Sequence, residues 1–271
     1  MRSGDEVREI FNLKYNNINS GASPGINDYE ISKYLTEAQE EIIDEHYKGG
    51  PSTDNDSFDK TERIRKQLSK LVQQRVVSYP GVLVNNPSMP ITKKYKVLRV
   101  SHTRRSIIDG GVPKDYRLVW RVLYETFQVT NEKECYLPSE LEVIPLRWDE
   151  IKRLRDNPFK GVPSNRVLRL DNYDAHELLV PNFVETGKYI YTILKCPLPW
   201  IISDLSITET MYGLTPGHLT INGLRAERRC EFDNDVEDII IDRAIDLATR
   251  DYLTNSLKMQ SLINNRREQN R

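Results

Sequence analysis

Four histidines and three cysteines are the residues of this chain best suited to metal binding or nucleophilic chemistry, and their spacing supports neither. His46, His102, His176 and His218 are scattered, and none stands at metal-ligand spacing from a cysteine or another histidine. Cys135, Cys196 and Cys230 are equally dispersed. An odd number of distant cysteines points to a reducing compartment and away from a disulfide framework. Cys230 lies between Arg229 and Glu231, where a cation favours the thiolate, but the reading adopted is a structural cysteine. There is no GxxxxGK[ST] loop to cradle a phosphate, no GxGxxG and no GxSxG elbow. Trp148-Asp149-Glu150 opens a predicted short helix, and its acids suit the positive end of a helix dipole rather than catalysis. No catalytic, cofactor-binding or metal-ligating residue is assigned, no cofactor is expected, and the chain is predicted not to be an enzyme.

The chemistry that is patterned is electrostatic. Net charge is only −1, yet the signs are segregated. Residues 28–62 hold eleven acids against three lysines, residues 63–108 hold eleven Lys or Arg and no acid, and residues 231–251 hold eight acids against two arginines. Glu37, Glu40, Glu41 and Asp44 fall on one side of a predicted helix, opposite its apolar stripe. Arg63, Lys66 and Lys70 fall in one line on the next predicted helix, opposite Ile64, Leu68 and Leu71. Three readings stay open for these opposed faces: two solvated surfaces, pairing between copies of the chain, and a nucleic-acid surface. Pairing between copies would fix register and speed encounter more than it adds affinity. The basic helix lacks the interleaved aromatics of a single-strand binder, and no reader motif occurs.

Helices at both ends of the chain must position these faces. Asp28–Tyr47 carries Ile31, Leu35, Ala38 and Ile42 on one narrow stripe, with Asn27 or Asp28 as N-cap and Gly49-Gly50 as the stop. A second helix is predicted over Ser57–Gln74, and a short one over Glu6–Tyr15 precedes both. From Arg75 to Phe232 the pattern turns to short β-rich runs, at 76–79, 95–102, 116–130, 166–170, 188–194 and 218–224. Turn residues such as Asp109-Gly110-Gly111 punctuate them. A helix over Asp235–Asn264 closes the chain. Its Val236, Ile240, Ile241, Ala244, Ile245, Leu247 and Ala248 cover an arc of about 180°, wider than the ~100° that one neighbour requires. Either a second subunit covers part of that arc, at Ile241 and Ile245, or the helix is sunk in its own domain. The polar, basic end with Arg266 and Arg267 reads as a disordered tail or one ordered by a partner.

The fold class expected is α+β: an N-terminal helical hairpin (1–75), a central antiparallel β-sheet or sandwich (76–232), and a long C-terminal helix with a polar tail (233–271). Hydrophobic residues make up 38% and charged residues 29%, a polar balance that suits a subunit completed by partners as well as an ordinary globular protein. No apolar run approaches the roughly 20 residues that span a bilayer, and the charged stretch Met1–Glu9 predicts no secretory signal.

Two segments carry a resemblance. Ile26–Tyr47, INDYEISKYLTEAQEEIIDEHY, resembles the first helices of head-to-tail connector proteins from tailed phages. Cys230–Gln269, CEFDNDVEDIIIDRAIDLATRDYLTNSLKMQSLINNRREQ, is similar to the end of structural ring proteins from crAss-like phages, where acidic residues lead into a long helix and a polar tail. The resemblance implies a non-enzymatic virion protein made in the host cytoplasm. It implies a homo-oligomeric ring of about 12 copies, matched to the portal protein and stacked with neighbouring neck and tail rings. DNA would pass through the lumen without sequence-specific binding, and no membrane is involved. The competing readings are a nucleic-acid-binding protein acting through residues 63–108 and an enzyme whose site assembles from scattered acids and histidines.

Overall fold

Two reciprocal capping boxes set the first two helices. Ser3 Oγ accepts the Glu6 amide at 3.3 Å while Glu6 Oε2 accepts the Ser3 amide at 2.9 Å, and helix α1 runs over Gly4–Ile18. Asn27 Oδ1 accepts the Glu30 amide at 2.9 Å while Glu30 Oε2 accepts the Asn27 amide at 3.0 Å, and α2 runs over Asp28–Lys48. Of the two N-caps the sequence allowed, Asn27 is the one used. The structure is a computed structural model that describes residues 2–18, 25–48, 66–79, 95–100, 104–130, 139–150, 165–172 and 175–269. The chain forms two compact units, one of Met1–Lys70, Asp109–Val112 and Pro197–Arg271, the other of Leu71–Ile108 and Pro113–Cys196.

The first unit is helical. Ile31, Leu35, Ala38 and Ile42 of α2, the predicted stripe, are buried, and so is Ile43 beside them. Helix α2 also buries a polar stripe, Ser32, Thr36 and Gln39. Ser32 Oγ accepts the Ile202 amide at 3.1 Å, Thr36 Oγ1 accepts the Trp200 amide at 3.1 Å, and Gln39 Nε2 donates to the Leu198 carbonyl at 2.9 Å. An extended segment thus runs along the helix with its backbone groups satisfied by side chains, as buried peptide groups require. Gly4 makes room for the same segment, since a Cβ there would stand 1.9 Å from the Ile202 carbonyl oxygen. A short helix α3 (Leu205–Met211), unforeseen in the sequence, follows its N-cap Asp204. Helix α4 (Asn234–Gln269) packs on both α1 and α2. Its backbone stays helical five residues past the predicted end at Asn264. The backbone of the polar end continues the helix to Gln269, and no Gly or Pro follows Asn234 to stop it.

The second unit is a seven-stranded sheet in the order β1-β9-β5-β6-β7-β8-β2. The strands are β1 (Val72–Tyr79), β2 (Tyr95–Val100), β5 (Val119–Val129), β6 (Glu140–Leu146), β7 (Arg166–Asp171), β8 (His176–Pro181) and β9 (Gly187–Lys195). Adjacent strands are antiparallel except β6 and β7, which are parallel. β3 (Arg104–Asp109) and β4 (Val112–Arg117) form a separate hairpin about Gly110-Gly111, whose φ of +58° and +82° are the left-handed values such a turn requires. A core of Leu98, Leu118, Phe127, Leu141, Val167, Leu178, Tyr189 and Ile193, among others, lies on the sheet.

Several expectations are corrected here. Residues 72–74 belong to β1 and not to the end of a helix over 57–74, of which residues 66–71 are helical or 3-10 and the part before 66 lies outside the described residues. The single strand expected over 116–130 breaks at Leu118. Residues 218–224 form turns and a bridge between Ile221 and Leu224 instead of a strand, because Asn222 and Gly223 both take positive φ. Of the predicted Trp148–Arg155 helix, only 148–150 lie among the described residues, and they are helical.

Candidate functional site

The residues assigned to a partner face do not form one free surface. Glu37 and Lys66 are exposed. Glu40 is half-buried and accepts Asn222 Nδ2 at 2.9 Å, while Glu41 pairs with Arg243 of α4 at 2.7 Å. Asp44 is half-buried. Lys70 pairs with Asp233 at 2.8 Å, just ahead of α4, and Gln67 donates to the same carboxylate. Arg63 lies outside the described residues, and Arg266 and Arg267 stand on the final turns of α4. Ile241 and Ile245 are buried in the chain's own core. The wide apolar arc of α4 is met by α1 and α2 of the same chain, so the second reading of that arc, a helix sunk in its own domain, is the one observed.

Ion pairs fasten the helical unit. Arg2 pairs with Asp238 at 2.5 Å, Lys14 with Asp242 at 2.6 Å, and Arg8 forks onto Asp28 at 2.7 Å. Hydrogen bonds from Arg2 hold Asp238 below the usual carboxylate range, and those from Lys70 and Gln67 do the same for Asp233. Glu237, which is buried, is pushed the other way by desolvation. A carboxylate whose folded pKa is depressed adds stability that is present above its unfolded pKa and is lost as pH falls through the folded value. The helical unit is therefore expected to lose a few degrees of melting temperature between about pH 5 and about pH 3, and Asp238→Asn to flatten that acid limb. Thermal melts followed by helical circular dichroism check it; an acid limb unchanged by Asp238→Asn would refute it.

Two features escaped the sequence reading. The first is an apolar cluster at the end of α3. Ile207, Met211 and Tyr212 are 59%, 78% and 61% exposed, and Leu214 adjoins them. Buried Glu209 accepts the Gly217 amide at 2.9 Å and the Leu219 amide at 2.6 Å, so the loop that follows is held by one carboxylate. These backbone donors hold Glu209 below its usual pKa.

The second is a chain of charges in the sheet unit. Arg169 of β7 is only 7% exposed. It pairs with Glu125 of β5 at 2.5 Å, across the intervening β6, and with Asp171 at 2.8 Å. Asp171 Oδ1 in turn lies 2.6 Å from His176 Nδ1, its cross-strand neighbour on β8. Burial works against the Arg169 charge, but the two carboxylates prevail and raise its pKa. Burial likewise opposes ionised Asp171, and the hydrogen bond from His176 with the Arg169 charge overcomes it and lowers the pKa. Arg169 and Asp171 are two apart on a strand and so share a face, which was the one signal available in the sequence. A cavity of about 420 Å³ opens beside this chain, lined in part by Arg117, Trp120, Arg121, Arg169, Asp171 and His176. Among the described residues its lining holds no Ser, Thr or Cys beside the His176–Asp171 pair. Burial drives the Cys230 thiol up to about 12, far from a reactive thiolate. Among the described residues no group of three or more His, Cys, Asp or Glu could hold a metal ion, and no helix is long and apolar enough to cross a membrane.

Comparison with known proteins decides the family. The phage tail ring protein 3/4 family matches residues 3–260, which takes in both compact units. The chain belongs to that family. It is 33% identical over 232 residues to ring protein 3 of Bacteroides phage crAss001, covering 84% of this chain and 87% of that protein. It is 26% identical over 253 residues to ring protein 4/5 of the same phage, covering 92% of each. As a tail ring family member it carries the helical unit and the sheet unit together, since the match leaves out only residues 1–2 and 261–271.

Proposed function

We propose that this chain is a non-catalytic structural subunit of a closed ring in the phage virion, placed in the neck between head and tail. In that place it extends the DNA channel of the portal and docks the tail. The observation that carries the reading is the family match over residues 3–260. A closed ring needs a heterologous interface, in which two different patches meet. The exposed cluster of Ile207, Met211 and Tyr212 is one patch suited to burial against a neighbour. Arg266 and Arg267, on the last turns of α4, are proposed to meet a neighbouring ring or the portal.

The expected result is a ring of about 12 copies in particles, seen by electron microscopy, with the mass of the portal-bound assembly measured by light scattering. A chain that is absent from particles, or present as an isologous dimer only, overturns the reading.

A further inference from the structure

The cavity beside the Arg169 charge chain has the composition of a binding site rather than of a packing defect. Arg117 and Arg121 are exposed, and the Arg117 guanidinium lies over the Trp120 ring at 5.8 Å. Trp148, 54% exposed, donates from its indole nitrogen to the carbonyl of Asp171, which lines the cavity. Trp and Arg around a concavity are the residues that carry binding energy where proteins meet. Among the described residues His176 Nε2 is buried at the cavity wall without a hydrogen-bond partner, a polar atom left for an incoming hydrogen-bonding group. Three arginines against one aspartate leave the lining cationic.

We infer that this cavity receives an acidic side chain from a second copy of the chain, presented by the exposed acidic ridge of α4. Asp235, Asp242 and Asp246 are exposed there, spaced seven and four, and so share one line of the helix. Lys14 pairs with Asp242 at 2.6 Å. A cationic cavity in one unit and an acidic ridge in the other are two different patches of opposite sign, which is what a heterologous, ring-closing contact requires. A carboxylate fits better than a phosphate backbone because Asp171 stands in the same wall and two tryptophans stand at it. The inference rests on the ring reading and names the surfaces that close the ring.

The test uses the full chain and the particles that contain it. Arg117→Glu with Arg121→Glu, and separately Asp242→Arg with Asp246→Arg, should each lower incorporation by about tenfold or more, and the four changes together should restore it. All four side chains changed, Arg117, Arg121, Asp242 and Asp246, are exposed, and thermal melts check the folding of each variant. A second measurement is independent of charge: Arg121→Cys with Asp246→Cys in one chain should give a ladder of disulfide-linked oligomers under oxidation, absent from either single change. Particles that contain the double-cysteine chain yet yield no ladder overturn the inference and leave the ring reading standing. Particles that lack the wild-type chain overturn both. If Arg117→Glu with Arg121→Glu leaves incorporation intact but weakens binding of duplex DNA by the purified chain about tenfold, the occupant is a phosphate and the inference fails.

Discussion

Replacing Arg169 by Met is expected to destabilise the sheet unit by about 3–5 kcal/mol, the range for breaking a buried ion pair from one side. Arg169 is 7% exposed and holds two carboxylates, Glu125 at 2.5 Å and Asp171 at 2.8 Å. The two carboxylates differ in what they keep. Asp171 is half exposed and retains His176. Glu125 is about 10% exposed and, among the described residues, retains the Tyr189 hydroxyl, a donor at 2.8 Å that cannot neutralise it. Most of the loss should therefore come from stranding Glu125, and Glu125→Gln in the Arg169→Met background should recover a large part of it. Unfolding in urea, read by tyrosine circular dichroism, measures both. A loss under about 1 kcal/mol for Arg169→Met would show that Glu125 finds water or another donor, and the account of the charge chain would fail.

That chain also shows where sequence reasoning stops. The long helices were legible because their signals are local: Ile31, Leu35, Ala38 and Ile42 make a stripe within one segment, and they are buried as expected. Glu125, Arg169 and His176 come from three strands that become neighbours only through sheet order. The parallel pairing of β6 and β7, which sets Pro145 beside Arg169, leaves no mark in either strand's residues. The candidate faces meet a related limit. Glu41 and Lys70 sit opposite apolar stripes and so read as free surface, but Arg243 and Asp233 lie some two hundred and one hundred and sixty residues away in the chain and occupy them. Helix α2 adds a subtler case. Ser32, Thr36 and Gln39 are polar, yet they are buried, because an extended segment uses them as its hydrogen-bond partners. Polarity in the sequence marks groups that need partners, and water is only one of the partners available.

Asp109 is the sharpest instance of that rule and carries the second large expected effect. In the sequence it opens Asp-Gly-Gly, a turn signal, and a turn aspartate is ordinarily exposed. In the structure its side chain is fully buried, and its carboxylate accepts the Arg225 amide at 3.1 Å and the Ala226 amide at 2.8 Å, with Arg228 at 3.9 Å. All four residues belong to the helical unit. The 225–226 backbone has turned its donors toward a charge instead of a strand, so removing the charge takes the acceptor from two part-buried N–H groups. Asp109→Ala is expected to cost about 2–4 kcal/mol, from two stranded amides at roughly 1–3 kcal/mol each, less what water recovers in the space vacated. Asp109→Asn keeps one acceptor oxygen and the shape, and should cost about half as much. Hydrogen exchange gives the readout that separates this account from a general loss of packing. The Arg225 and Ala226 amides should lose protection in Asp109→Ala well before those of buried α2 positions such as Leu35. If all amides of the helical unit lose protection together, the carboxylate supports the unit through packing and not through these two hydrogen bonds.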